Sequence, residues 1–82
     1  MNKTTTFLIA YLTAIDIDSS AYELKENQDT LGYLISLSIS KDNPKVGILI
    51  GKKGRNLMLL KQLLRVIGFT ERILPFLVVK II

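Results

Sequence analysis

The spacing of apolar and polar positions along the chain is clearest between residues 31 and 40. Apolar residues occupy every second position there, and serines fill most of the positions between them. The apolar set is Leu31, Tyr33, Ile35, Leu37 and Ile39, and the serines are Ser36, Ser38 and Ser40. A period of two is typical of a β-strand with one buried face. We therefore predict a strand at residues 31–40 that packs on one side only.

Two weaker patterns predict neighbouring strands. The segment "AYELKE" at 21–26 alternates apolar and charged residues, as in a short edge strand, and "NQDTLG" after it favours a turn. The run "FLVVKII" follows Pro75 and is almost continuously apolar, which suits a strand joining a sheet that has already formed. We expect residues 31–40 to be central, with 21–26 antiparallel and 76–81 parallel to it, because a helical crossover joins parallel neighbours.

Helical spacing accounts for the remaining segments. Residues 4–15 carry a wide apolar arc with a narrow polar stripe, which predicts a largely covered helix. Asn43 as an N-cap and Pro44 at the first helical position predict a short helix that stops at Gly51. A third helix is predicted at residues 55–67, with Gly68 as its C-cap. Its apolar side should be core and consists of Leu57, Leu59, Leu60, Leu63, Leu64, Val66 and Ile67.

These elements fit one small domain spanning residues 1–82. The predicted order is helix, strand, strand, helix, helix, strand. This gives an α+β fold with a three-stranded mixed sheet covered by helices on one face.

Composition narrows the chemistry. The 82 residues include no cysteine and no histidine. Disulfides, thiolate metal sites and cysteine nucleophiles are thereby excluded, and the commonest general base is missing. Asp16 and Asp18 resemble an acid–base pair only in spacing, and we interpret them as cap and turn residues. We expect no enzyme activity, no cofactor and no metal.

Charge is divided unevenly along the chain. Residues 1–40 hold two basic and five acidic side chains, a net charge of −3. Residues 41–82 hold nine basic and two acidic side chains, a net charge of +7. This asymmetry points to a polyanionic partner, either nucleic acid or an anionic membrane surface.

Neither a leader peptide nor a membrane span is expected. The apolar run after Lys3 is short, and removing it would take away a whole predicted helix. No stretch approaches the ~20 apolar residues of a membrane helix. We expect a cytoplasmic protein.

The basic half contains an unusual tetrapeptide at residues 51–54, the GKKG loop, which lies between two apolar segments. Glycine inside an element costs roughly 0.5–1 kcal/mol relative to alanine, and adjacent lysines repel, so burial does not favour this sequence. It is either a plain turn or a turn that contacts an anion. Glycines let the main chain approach a ligand, the next helix presents its positive end, and the lysines add charge, which together suit a phosphate.

The segment "VGILIGKKGRNLMLLKQLL" resembles the signature of the KH domain, an aliphatic-Gly-x-x-Gly loop between two short helices. The predicted order α-β-β-α-α-β is that of the bacterial, type II KH fold, and the resemblance covers nearly the whole chain. In length, the chain is similar to the small single-KH RNA-binding proteins of bacteria, the KhpA family. The run "LIGKKGRNL" also resembles the KH segment of the larger Jag (KhpB) proteins.

The resemblance implies a function and a set of site residues. KH domains grip the backbone of about four unpaired nucleotides and hold bases in an adjoining apolar groove. By position, Gly51, Lys52, Lys53 and Gly54 would form the clamp, Gly47, Ile50 and Leu57 the groove, and Arg55 would support the backbone. Single-stranded RNA would be the partner, with a role as a post-transcriptional regulator or RNA chaperone. Lys45, Lys61 and Arg65 remain open between solvated surface and RNA contact.

Two other functions stay open. The apolar arcs on residues 4–15 and 55–67, with a mean hydropathy of +0.36, favour an interaction subunit. It would form a homodimer, or a heterodimer with a Jag-type KH protein. A basic amphipathic helix at 55–67 could also lie on a membrane, although its apolar side is expected to be core. Sparse aromatic residues near the loop predict broad, salt-sensitive binding.

Overall fold

The structure is a computed structural model that describes residues 2–28 and 32–82. Its helices are α1 (Lys3–Ala14), α2 (Val46–Ile50) and α3 (Arg55–Thr70), and its strands are β1 (Tyr22–Gln28), β2 (Tyr33–Ile39) and β3 (Pro75–Ile81). Single 3₁₀ turns occupy Ser19–Ala21 and Lys52–Gly54. The predicted element order is confirmed.

The three strands form one mixed sheet in the order β1-β2-β3. β1 runs antiparallel to β2, and β3 runs parallel to it, so β2 is central as predicted. The first of the predicted strand residues, Leu31, lies outside the described residues, as do residues 29–31 of the predicted turn at 27–32. β1 continues to Gln28, two residues beyond its predicted end, because its register with β2 extends to the pair Gln28 and Tyr33.

The helices cover one face of this sheet. The alternating apolar residues of β2, from Tyr33 to Ile39, are all buried, whereas Leu34 on the other face is 37% exposed. One core cluster joins the buried face of β2 to residues from all three helices. The helical members of this cluster are Leu8, Leu12, Leu49, Leu60 and Leu64. The molecule is therefore a two-layer α+β domain with an open sheet face.

The N-terminus of α1 is capped from two places. The Asn2 side chain accepts a hydrogen bond from the Thr5 N–H at 2.8 Å. The Glu71 carboxylate, which follows α3, accepts from the N–H groups of Lys3 and Thr4 at 3.0 and 2.9 Å. Thr4 also donates its hydroxyl to Glu71 at 3.0 Å. The second cap ties the beginning of the chain to the loop before β3.

The predicted start of the second helix is wrong. α2 begins at Val46, three residues after Asn43. The Asn43 side chain instead accepts from the Lys45 N–H at 2.8 Å, and its carbonyl accepts from the Val46 N–H at 3.2 Å. Asn43 and Pro44 therefore build a turn that leads into the helix. The same side-chain bonding favours both caps and turns, and the sequence does not distinguish them.

The predicted end of the third helix is also wrong. α3 continues to Thr70, and Gly68 is buried inside it. A Cβ atom at Gly68 would lie 2.6 Å from Cδ of Pro75, so this glycine permits close packing of the helix on β3. The helix is terminated by Arg72, which has a φ of 58°. The N–H groups of Arg72 and Ile73 return to the carbonyls of Phe69 and Gly68 at 3.2 and 2.9 Å, the pattern of a Schellman motif.

Only part of the apolar side of α3 is core. Leu60 and Leu64 are buried, but Leu59, Leu63 and Val66 are 58%, 45% and 65% exposed. We call these three residues the α3 outer stripe. A two-layer domain covers one side of α3 and leaves its opposite side in solvent, so the expectation that the whole apolar arc is buried is wrong. Within residues 2–28 and 32–82, no helix is long and apolar enough to cross a membrane.

Candidate functional site

The GKKG loop joins α2 to α3 through three residues with positive φ. Gly51 has φ 76° and ψ 173°, Lys53 has φ 57°, and Gly54 has φ 75°. The conformation of Gly51 is essentially restricted to glycine, whereas Lys53 and Gly54 are left-handed. The loop is therefore a sharp corner between the two helices, with Lys52 and Lys53 exposed at it.

Asn56 holds this corner in place. Its side-chain Nδ2 donates to the carbonyl of Ile48 at 2.8 Å, joining the first turn of α3 to α2. Its Cγ would lie 2.6 Å from a Cβ at Gly51, so the amide packs directly on the bare glycine. Sequence reasoning missed Asn56, and its only signal was a polar residue two positions after the loop.

The main chain of the loop has free hydrogen-bond donors. The N–H of Gly51 bonds to Gly47 O at 2.8 Å, and the N–H of Gly54 bonds to Gly51 O at 3.1 Å. Arg55 donates its N–H to Lys52 O. Among the described residues, none accepts a hydrogen bond from the N–H of Lys52 or Lys53. Two consecutive donors at a sharp turn form a concavity suited to an anion.

The side chains around these donors are cationic and unpaired. Lys52, Lys53 and Arg55 are all exposed. The one ion pair found in residues 2–28 and 32–82 joins Lys25 to Glu23 on the sheet, so no carboxylate neutralises the loop. The positive end of the α3 helix dipole adds to this charge. The loop is thus a positively charged corner without an internal counterion.

The three residues assigned to a groove lie beside the loop but differ in exposure. Ile50 and Leu57 are half-buried, and Leu57 packs against the core cluster. Gly47 is exposed, and a Cβ built on it would have no heavy atom within 4 Å. The structure therefore brings all eight predicted site residues to one corner of the molecule, with open space above Gly47.

A second concave surface continues along α3. Lys61, Leu64 and Arg65 form one wall of a groove of about 190 Å³, and residues 75–78 of β3 form the other. Lys61 follows Arg55 by six residues, an axial distance of about 9 Å along the helix. The groove is smaller than the ~300–1,000 Å³ typical of small-molecule pockets. The sequence leaves open whether Lys61 and Arg65 contact RNA. In the structure both side chains line this groove.

The carboxylates lie elsewhere and have structural roles. Asp16 has a φ of 64° and ends α1, and Asp18 accepts a hydrogen bond from the Ser20 hydroxyl. That bond, with others from the Ser20 and Ser19 main chain, lowers the pKa of Asp18 below its usual value. Both residues are turn residues, as interpreted from the sequence. In the described parts of the chain, no group of three or more carboxylate, histidine or cysteine side chains could hold a metal ion.

Comparison with known proteins does not extend this description. No family model, no curated protein and no solved structure matches the chain. The fold and the site define an α+β domain with an exposed, cationic glycine loop at the junction of two helices.

Proposed function

We propose that this protein binds single-stranded RNA through the GKKG loop, as a KH domain of type II similar to the small KhpA proteins. The observation that carries the proposal is the loop itself. Lys52 and Lys53 are exposed and unpaired, and their main-chain N–H groups have no partner in the described structure. Charge and directed donors converge at one corner, which is what binding to a phosphate backbone requires.

The phosphates would be held by three kinds of contact. The lysine side chains supply mobile charge, the N–H groups of Lys52 and Lys53 supply fixed donors, and the start of α3 supplies a positive dipole end. Gly54 has no heavy atom within 4 Å of a built Cβ, so a sugar–phosphate chain can approach its main chain closely. Arg55 adds an exposed cation directly after the loop.

The apolar residues beside the loop would contact the bases. Ile50 and Leu57 are half-buried, and both present part of an apolar side chain next to the clamp. Neither is aromatic, so stacking contributes less than backbone charge, and the binding is broad in sequence. Duplex RNA hides its base edges in a deep, narrow groove, so single strands bind better. A broad, strand-selective binder suits an RNA chaperone or a post-transcriptional regulator.

The proposal is tested by titrating single-stranded and duplex RNA with wild-type protein and with the Lys52→Asp/Lys53→Asp variant. We expect the wild-type protein to prefer the single strand. We expect the variant to lose at least tenfold in affinity, because two attractive charges become two repulsive ones. Circular dichroism should show an unchanged fold, since neither side chain contributes to the core.

A matched control separates the position of the charges from their number. Lys25 and Lys80 are exposed on the open face of the sheet, away from the helices. The Lys25→Asp/Lys80→Asp variant has the same net charge as the loop variant. It should retain most of the affinity for RNA. If both variants lose affinity equally, net charge rather than the GKKG loop governs binding.

A second candidate function is pairing with another KH protein, and the α3 outer stripe favours it. Leu59, Leu63 and Val66 recur at helical spacing and are about half exposed, whereas the apolar residues of α1 face the core. The partner would be a second copy or a Jag-type protein. Sedimentation of wild-type and Leu63→Glu protein tests it, and a wild-type monomer at high concentration with no KH partner bound would contradict it.

A further inference from the structure

The outward side of α3 exposes more apolar surface than the α3 outer stripe alone. Phe69 is 83% exposed and Met58 is 58% exposed, in addition to the three residues of the stripe. At 3.6 residues per turn, these five side chains lie within about 140° of the helix circumference and along about 17 Å of its length. We call them the α3 apolar face, which consists of Met58, Leu59, Leu63, Val66 and Phe69. A contiguous apolar surface of this kind, unlike scattered exposed residues, marks an interaction site.

Exposed cations border this face. At the same helical spacing, Lys61 and Arg65 lie along one side of it, and Arg55 lies at its N-terminal end. The sequence of α3 contains no acidic residue. None of the three cations forms an ion pair in the described parts of the chain, where the one pair joins Lys25 to Glu23. The helix therefore combines uncompensated positive charge with a wide apolar surface.

These two properties together determine which partner fits. Single-stranded RNA would neutralise the cations, but its charged backbone would leave the α3 apolar face in water. A KH partner bound to the α3 outer stripe would cover three apolar residues, but it gives no role to Phe69 or to the cations. An anionic lipid bilayer supplies phosphate groups and an apolar phase side by side. Charge and apolar surface together therefore favour the bilayer.

We propose that α3 binds the surface of an anionic membrane, with the helix axis parallel to the bilayer plane. Apolar side chains of such a helix enter the boundary between headgroups and acyl chains, to a depth of about 5–10 Å. Phe69 and Val66, the most exposed residues of the α3 apolar face, enter furthest. The long stems of Lys61 and Arg65 let their charged ends reach lipid phosphates. The opposite side of α3 stays packed in the core cluster, so binding requires no unfolding.

This interaction is separate from the RNA binding proposed for the GKKG loop. It uses the side of α3 that faces away from the core, and it requires neither Lys52 nor Lys53. A substitution at Phe69 should therefore leave the affinity for single-stranded RNA unchanged, so the two proposals fail separately.

The test measures co-sedimentation of the protein with two kinds of vesicle, one of phosphatidylcholine and one of phosphatidylcholine and phosphatidylglycerol in equal amounts. We expect saturable binding to the anionic vesicles and at least tenfold weaker binding to the neutral ones, because each cation near an anionic surface adds attraction. Added salt should weaken the binding. Phe69→Ser should weaken binding to anionic vesicles about tenfold, since it removes the most exposed side chain of the face without changing the core.

A matched control separates the position of the aromatic ring from its loss. Phe76 is also an exposed phenylalanine, but it lies on the open face of the sheet. Phe76→Ser should bind anionic vesicles within about threefold of wild type. Lys61→Glu/Arg65→Glu should lose the preference for anionic vesicles over neutral ones. Thermal melts establish that all three variants are folded.

The other occupants of the face predict different results. Equal binding of anionic vesicles by wild type and folded Phe69→Ser protein would overturn the proposal, as would equal binding of wild type to neutral and anionic vesicles. A wild-type protein that binds no vesicles, and whose self-association is abolished by Leu63→Glu, would assign the face to a KH partner. Absence of vesicle binding together with loss of RNA affinity in folded Phe69→Ser protein would assign it to RNA.

Discussion

At the residue scale, the two glycines of the loop have different physical roles. Gly51 has a backbone conformation in which a side chain is strained, and a Cβ there would also meet Asn56 at 2.6 Å. Gly54 is left-handed, but the space around it is open. Gly51 is therefore required by the fold of the corner, and Gly54 leaves its main chain accessible.

Alanine substitution should separate these roles. We expect Gly51→Ala to lower the free energy of unfolding by about 2–4 kcal/mol, because backbone strain adds to the clash with Asn56. Gly54→Ala should cost only about 1 kcal/mol, the strain of a left-handed alanine. Urea denaturation of both variants measures the difference. Equal losses, or a larger loss for Gly54→Ala, would show that the corner is not held by Asn56.

The end of α3 contains a residue that can be improved. Arg72 occupies a left-handed position that glycine adopts without strain, and it closes a Schellman motif. Arg72→Gly should raise the free energy of unfolding by about 0.5–1 kcal/mol. Arg72→Ala removes the same charge but keeps the strain, so it should give no gain. A thermal melt in which the alanine variant equals the glycine variant would attribute the change to charge.

At the element scale, Glu71 connects α1 to the segment after α3. Hydrogen bonds from the N–H groups of Lys3 and Thr4 hold the pKa of Glu71 below its ordinary value of 4.5. A carboxyl group whose pKa is lower in the folded state stabilises the fold above its unfolded pKa. That contribution is lost as the pH falls through the lower, folded pKa.

Glu71→Gln should therefore reduce stability near neutral pH and flatten its dependence on acid. We expect the melting temperatures of wild type and variant to differ most above the unfolded pKa of Glu71 and to converge as the pH falls below its lower, folded pKa. Asp18 has the same sign of shift, so some acid dependence should remain in the variant. A constant difference between the two proteins across this range would contradict the proposed cap.

At the level of elements, local sequence predicts some features of this fold and not others. The sequence predicts the strand at β2 because apolar residues alternate along it, and its central place follows from the helical crossover. Helix ends were harder to predict. Glycine is the residue type typical of a C-cap, so the sequence predicts that role for Gly68. In the structure the close approach of Pro75 explains why a glycine is needed there, and that contact joins residues in different elements. Arg72 ends α3 in a left-handed conformation, and arginine is not a residue type that favours this conformation.

The residues of the candidate site also differ in whether the sequence alone predicts them. The cationic loop was predicted because its residues are contiguous in the chain. Asn56 and the groove between α3 and β3 were not, since each depends on how separate elements pack. The exposure of the α3 outer stripe was missed for a related reason, because helical spacing places Leu59, Leu63 and Val66 on an apolar arc without showing how wide the covering layer is.

At the scale of the whole molecule, the uneven distribution of charge along the sequence corresponds to different surfaces of the fold. The cations of residues 51–65 lie on the loop and along α3, whereas the sheet carries the ion pair of Lys25 and Glu23. The α3 outer stripe is a separate apolar surface on the same helix. One helix therefore carries an exposed cationic side and an exposed apolar side.

The salt dependence of RNA affinity tests the central claim most directly. Each phosphate that is neutralised on a single strand contributes about −0.7 to the slope of log affinity against log salt. Wild-type protein and the Lys52→Asp/Lys53→Asp variant should be titrated with one single-stranded RNA over a series of salt concentrations. If both lysines neutralise a phosphate, the variant's slope should be shallower by about 1.4. The same slope in a folded variant would contradict the clamp and leave the GKKG loop as only a turn between two helices.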